Sequence, residues 1–351
     1  MFWKCFTLVF ATAFVGVGYA IYVATEPPPK PDPKDIAAAM DRFSEDARFV
    51  MPPVEPLVDL PSVTRVVSGG DIQPQELIIG VAIDGASRAY PINLINTPFR
   101  KVINDTLADE PIVVTWCDNC HSAAVFSRKL QGRNELFGCS GILWKESLVF
   151  YDETTGSFWN NVRGEAVSGP RRGQKLKPID AAVTTWKEWT EAHPDTTVVH
   201  AERIESTFSL DYYHKLRAKG PMVMAVRTRS GGVAWDLDAL NANPVQTGTI
   251  DDVPVVVFFH APTMSARVFD RRLGGQELAF KLDGEDAIDD ATGSRWDVIS
   301  GTAIDGLRRG RSLTPMPGLV TLTATWEELF PESRIVGDSR RRTESMEAGG
   351  G

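Results

Sequence analysis

Residues 111–126 read Pro-Ile-Val-Val-Thr-Trp-Cys-Asp-Asn-Cys-His-Ser-Ala-Ala-Val-Phe. From Ile112 to Trp116 the run is apolar and largely β-branched, which suits a pleated, packed surface and predicts a buried strand. A second apolar run, Ala123 to Phe126, leads away from Cys117-Asp-Asn-Cys120-His121. The two cysteines therefore sit where a strand ends and the chain turns.

The stretch recurs, and the recurrence decides the architecture. Pro111 to Phe137 aligns without gaps on Pro254 to Phe280, sharing Pro-x-Val-Val and Val-Phe-x-Arg-x-Leu-x-Gly. Thr155-Gly-Ser-x-Trp159 returns as Thr292-Gly-Ser-x-Trp296, and Gly164-x-Ala-x-x-Gly169 as Gly301-x-Ala-x-x-Gly306. Arg172-Gly173, Leu176-x-Pro178 and Thr185-Trp186 return as Arg309-Gly310, Leu313-x-Pro315 and Thr325-Trp326. The expected fold is mainly β with an α+β margin. It consists of two tandem homologous units of many short strands, at 76–205 and 206–337, each with one short helix. Trp186 to Ala192 supplies the helix of the first unit, followed by a strand near Thr197–His200. Leu77 to Ile83 and Ser87 to Ile92 around Asp84-Gly85 predict a hairpin.

The recurrence is also an internal control. Residues present in both copies, Trp159 and Trp296 among them, are explained by a shared core. Cys117 aligns with His260, Cys120 with Thr263 and His121 with Met264, so the cysteine site belongs to the first copy alone.

Outside the two units the chain changes character. Residues 5–25 run without charge, from Cys5 to Thr25, and a bilayer span takes about 20 residues. With Trp3 at one end and Tyr19 and Tyr22 at the other, residues 1–25 predict an N-terminal apolar helix acting as a signal anchor, Gly18-Tyr19-Ala20 offering a cleavage site as the alternative. Residues 26–75 are a Pro-rich spacer and lead-in, with an amphipathic helix expected over 34–49 and irregular chain over 50–75; residues 338–351 are expected to be a disordered tail. The expectation is a protein of the bacterial cell envelope. It would be a single-pass inner-membrane protein with its body in the periplasm, or a secreted or periplasmic one after cleavage. The net charge of −9 argues against a nucleic-acid partner.

Several ordered motifs resemble one family, the bacterial and archaeal "domain of unknown function 3179". They are Val81-Ala-Ile-Asp-Gly-Ala-Ser-Arg-Ala-Tyr-Pro91, Cys117-Asp-Asn-Cys-His-Ser-Ala123, Phe137-Gly-Cys-Ser-Gly141 and Leu148-Val-Phe-Tyr-Asp-Glu-Thr-Thr-Gly-Ser-Phe-Trp159. The resemblance is strong over about 78–200 and degenerate over about 221–336, and it implies no assigned activity. Two departures stand out: His121 replaces the family's Gly after the second Cys, and Cys139 replaces a small or apolar residue.

Export bears on the chemistry, since disulfides persist outside the cytoplasm. Beyond Cys5 the chain has three cysteines, Cys117, Cys120 and Cys139. Thiolates with imidazole suit zinc or copper(I), giving a candidate metal set of Cys117, Cys120, His121 and Cys139, with His260 a further candidate if the units pack about a pseudo-two-fold axis. Cys117 and Cys120 alone are candidate redox thiols. Cys117-x-x-Cys120-His121 also fits the c-type haem attachment string, with a sixth ligand to come from His200, His214, His260 or a Met. The remaining reading is a non-catalytic scaffold or interaction module whose Cys-x-x-Cys disulfide pins a turn. The leading expectation is metal binding or redox handling at a thiolate site in the cell envelope.

Overall fold

The computed structural model of the protein describes residues 46–60, 62–64, 72–201, 208–209, 211 and 220–337. The apolar segment 5–25, the Pro-rich spacer, most of the helix expected over 34–49, His214 and the tail from 338 lie outside the described residues. Among the described residues no helix is long and apolar enough to cross a membrane.

The fold is mainly β. In the N-terminal half, one five-stranded sheet orders its strands Pro178–Ile179, Ser122–Ser127, Glu110–Cys117, Val102–Leu107 and Leu57–Val58. A second orders Ala181–Thr185, Leu77–Ile83, Ala86–Pro91, Thr197–Val199 and Ser62–Thr64. The third runs from Ala47–Phe49 through Phe137–Trp144, Ser147–Asp152 and Phe158–Asn160 to Glu165–Ser168. The C-terminal half carries three four-stranded sheets. Their strands follow one another as Gly318–Leu322, Met222–Thr228, Gly231–Asp236, Arg334–Val336; Val245–Ile250, Val253–His260, Ser265–Asp270, Thr314–Pro315; and Phe280–Asp283, Asp286–Asp289, Arg295–Trp296, Ala303–Asp305.

Local chemistry explains the motifs that recur. Asp84 and Gly85 both take positive φ, 47° and 83°, so the hairpin closes with Ile83 opposite Ala86. Asp152 Oδ1 accepts from the Thr155 N–H at 2.7 Å and its Oδ2 from Trp159 Nε1 at 2.9 Å. Asp289 does the same for Thr292 at 2.7 Å and Trp296 at 3.0 Å. One carboxylate thus fixes a turn and satisfies the indole N–H of a tryptophan that is fully buried, as Trp159 and Trp296 both are. Gly164 (φ 62°) and Gly301 (φ 68°) lie under aromatic rings. A Cβ would fall 2.6 Å from Phe126 Cε1 at the first and 2.4 Å from Phe269 Cε1 at the second. Positive φ and close approach together require glycine there.

Three expectations are corrected. Each half carries two described α-helices rather than one: Ile92–Ile95 and Trp186–Ala192, then Leu237–Ala242 and Thr323–Leu329. Four residues, as in Ile92–Ile95, are too few to show a helical period in the sequence. Ala47–Phe49, placed in the amphipathic helix, is a strand paired with Ile142–Trp144. The lead-in 50–75, expected to be irregular, supplies the short strands Leu57–Val58 and Ser62–Thr64. In these last two cases pairing to an existing sheet edge overrides local pattern.

The core runs through both halves. Leu77, Ile79, Trp116 and Val125 share one apolar cluster with Met222, Trp235, Val257 and Phe259. A second cluster joins Cys117, Cys120, Cys139 and Phe137 to Val223, Leu319 and Trp326. Each large apolar side chain so buried contributes about 1.5–3 kcal/mol. This shared core holds the Gly318–Leu322 strand of the C-terminal half against the cysteine turn.

Candidate functional site

The strand Glu110–Cys117 is buried from Pro111 onward and ends at Cys117. Cys117 pairs with Ser122, so Asp118 to His121 form the loop between the strands. His121 closes that loop at φ 52°, the left-handed region that favours glycine. Its imidazole packs edge-on against Trp116, ring centroids 4.9 Å apart.

That loop brings Cys117 Sγ and Cys120 Sγ to 2.9 Å, and the Cys120 N–H lies 3.4 Å from Cys117 Sγ. Cys120 Sγ also lies 3.0 Å from Ser122 Oγ. Ser122 Oγ accepts from Asn161 Nδ2 at 2.9 Å, and Ser147 Oγ donates to Asn161 Oδ1 at 2.6 Å. From the C-terminal half, Thr321 Oγ1 donates to the Cys120 carbonyl at 2.9 Å and the Leu322 N–H to the same oxygen at 3.2 Å. Asn119 ties the loop to the neighbouring turn through the Glu146 carbonyl at 2.8 Å, and Lys101 forms an ion pair with Asp118.

The two thiols differ electrostatically. Burial, reinforced by the negative partner at Cys120, pushes the Cys117 thiol well above its ordinary range. Burial also opposes ionisation of Cys120, but hydrogen bonds from Cys117, Ser122, Ser147 and Thr321 outweigh it and bring the thiol below its ordinary value. The surroundings therefore pull the two thiols in opposite directions, Cys117 upward and Cys120 downward. A cleft of about 450 Å³ reaches this site, lined by Cys117, Asp118, Asn119 and Lys101 on one side and by Cys139, Leu143 and Phe208 elsewhere. Cys120 and His121 do not line it.

Of the residues singled out in the sequence, Cys117 and Cys120 come together. Cys139 is buried in the same apolar cluster and faces the same cleft, its thiol raised by burial. Among the described residues no three Cys, His, Asp or Glu side chains gather as metal ligands would. His121 is occupied with Trp116, and His260 Nδ1 lies 2.7 Å from Thr263 Oγ1. Cys120 and His121, the second sulfur and the imidazole of the haem-attachment string, are 0% and 1% exposed and do not line the cleft. His200 is exposed, just past the strand Thr197–Val199.

Sequence reasoning did not single out Ser122, Ser147, Asn161 or Thr321. Ser122 stands two residues after Cys120 and was within reach of a Cys-x-x-Cys-x-Ser reading. Ser147 and Thr321 arrive from distant strands with no local signal. No curated protein and no solved structure matches the chain. Residues 55–333, taking in both halves, match the family described as "Protein of unknown function (DUF3179)", and the chain belongs to that family.

Proposed function

We propose that this chain is a thiol–disulfide exchange protein of the cell envelope, with Cys117 and Cys120 as its redox pair. The observation that carries the reading is the dithiol itself. Two sulfurs stand 2.9 Å apart, one facing a cleft and the other among three hydroxyls. They need approach by only about 0.9 Å to reach bonding distance.

The asymmetry gives the exchange a direction. In the oxidised protein, a substrate thiolate entering the cleft attacks Cys117 Sγ and the Cys117–Cys120 bond breaks. Cys120 leaves as the stabilised thiolate, and a leaving thiol of low pKa departs faster. A second substrate thiolate then attacks the substrate sulfur of the mixed disulfide. Cys117 is released and takes up a proton. Two substrate thiols become one disulfide, the protein disulfide becomes a dithiol, and stabilising the reduced form makes the protein an oxidant.

The scaffold is read as two copies of one β-rich unit, and matching sheet orders and turn chemistry in the two halves support that reading. Only the first copy carries cysteine. The uncharged stretch 5–25 would hold the body outside the cytoplasm, where oxidised thiols persist.

The test uses the full chain carrying Cys120→Ser, treated with oxidised glutathione and mapped by peptide mass spectrometry. One glutathione on Cys117 is expected. Modification of Cys139 instead, or of neither residue, rules out Cys117 as the exchange sulfur.

A further inference from the structure

A second cavity, of about 590 Å³, opens between the two halves away from the dithiol, a size typical of small-molecule sites. Four cations line it, Arg163 and Lys175 from the N-terminal half and Arg227 and Arg229 from the C-terminal half. Three acids, Glu165, Asp251 and Glu332, also line it. Two of the cations have an acid nearby: Arg163 lies 3.1 Å from Glu165 and Arg229 lies 3.8 Å from Asp251.

Arg227 is different. Its Nε donates to the Val162 carbonyl at 2.6 Å and its Nη2 to the Asn161 carbonyl at 3.0 Å. Its guanidinium stands 5.1 Å from the centre of the Phe126 ring. Among the described residues no carboxylate pairs with it, and burial alone lowers it to about 9. A cation held by neutral acceptors in a poorly solvated place keeps a strong attraction for an anion. Ser333 lines the same cavity, is 4% exposed, and its Oγ has no hydrogen-bond partner among the described residues. The cavity thus offers a planar cationic fork and an apolar wall at Leu329 and Phe330, with the unpartnered Ser333 hydroxyl buried in its lining.

We propose that this cavity binds a small organic oxyanion, a carboxylate or a phosphate monoester, recognised by Arg227 and Ser333 with its carbon skeleton against Leu329 and Phe330. The three rim acids select a compact ligand of one or two charges over an extended polyanion, because they repel charge spread across the mouth.

The full chain is titrated calorimetrically with inorganic phosphate and with succinate in chloride buffer. Saturable binding of at least one is expected, and the tighter of the two names the class. Arg227→Gln should weaken it at least about tenfold, the worth of a charge-assisted hydrogen bond. Ser333→Ala should weaken it about threefold or more, and the rim change Lys175→Gln less than that. Circular dichroism reports whether Arg227→Gln folds; if it does not, Ser333→Ala decides. No saturable binding by the unmodified chain, or unchanged affinity in Ser333→Ala, overturns the assignment.

Discussion

In the turn at 117–122, Cys117 stands opposite Ser122, and in the turn at 260–265, His260 stands opposite Ser265. The first and fourth positions touch in both, at 2.9 Å between the Cys117 and Cys120 sulfurs and 2.7 Å between His260 Nδ1 and Thr263 Oγ1. The fourth and sixth touch in both, at 3.0 Å from Cys120 to Ser122 and 2.9 Å from Thr263 to Ser265. The residue before the second strand is left-handed in both, His121 at φ 52° and Met264 at φ 56°. Proximity is therefore a property of the backbone turn, present with or without sulfur. What distinguishes the first turn is its chemistry: sulfur at two positions, added hydroxyls around one of them and a cleft over the other. In the second turn Ser265 donates onward to the Val183 carbonyl, and the chain of hydroxyls ends there.

The strongest way to break this comparison is to move the sulfurs. Cys117→Ser with Cys120→Ser should abolish disulfide formation outright, counted by thiol titration after mild oxidation. Adding His260→Cys and Thr263→Cys to that double variant should restore one disulfide, now in the second turn. Failure to oxidise there would show that the two turns are not equivalent frames.

Smaller in effect, the paired glycines test whether the turns share one skeleton. Gly164→Ala and Gly301→Ala should each cost about 3 kcal/mol in urea unfolding, for overpacking plus the positive φ. A large difference between them would argue that the rings of Phe126 and Phe269 are not equivalently placed.

The paired carboxylates sharpen the contrast further. Burial raises Asp152 above its ordinary range, despite bonds from Trp159 and Thr155 and the nearby Arg171. At Asp289 burial also pulls upward, but hydrogen bonds from Trp296 and Thr292 win and the group is lowered. A lowered carboxylate adds stability above its unfolded pKa, lost as pH falls through the folded value. A raised one adds stability at low pH, lost as pH rises through its folded value. Asp289→Asn should therefore cost about 1–2 kcal/mol at pH 7, with the gap to the unmodified chain shrinking as pH falls toward about 3. The gap for Asp152→Asn should instead widen over the same range. Parallel behaviour would mean the two sites are electrostatically alike. Smallest of all, Arg48→Ala removes an exposed pair with Glu146 at the cleft mouth and should change stability by less than about 1 kcal/mol.

The β-rich class, the Asp84-Gly85 hairpin, the helix Trp186–Ala192 and the dithiol were legible because each is written locally. His121, read in the sequence as an added ligand, takes a left-handed backbone and its ring packs on Trp116, which no local pattern announces. Ser147 and Thr321 were illegible because strand pairing and the shared core deliver them from 27 and 201 residues beyond Cys120. The Ala47–Phe49 strand was hidden by an apolar spacing that also suits a helix.

The central claim is that Cys117 and Cys120 form a working redox couple and not a fixed staple. The direct measurement is the reduction potential of the full chain, equilibrated in glutathione or dithiothreitol buffers and read by differential alkylation of the two sulfurs. A stabilised Cys120 thiolate predicts a potential more oxidising than about −200 mV. A potential below about −300 mV, the range of structural disulfides, or no Cys117–Cys120 bond under oxidising conditions, would contradict it.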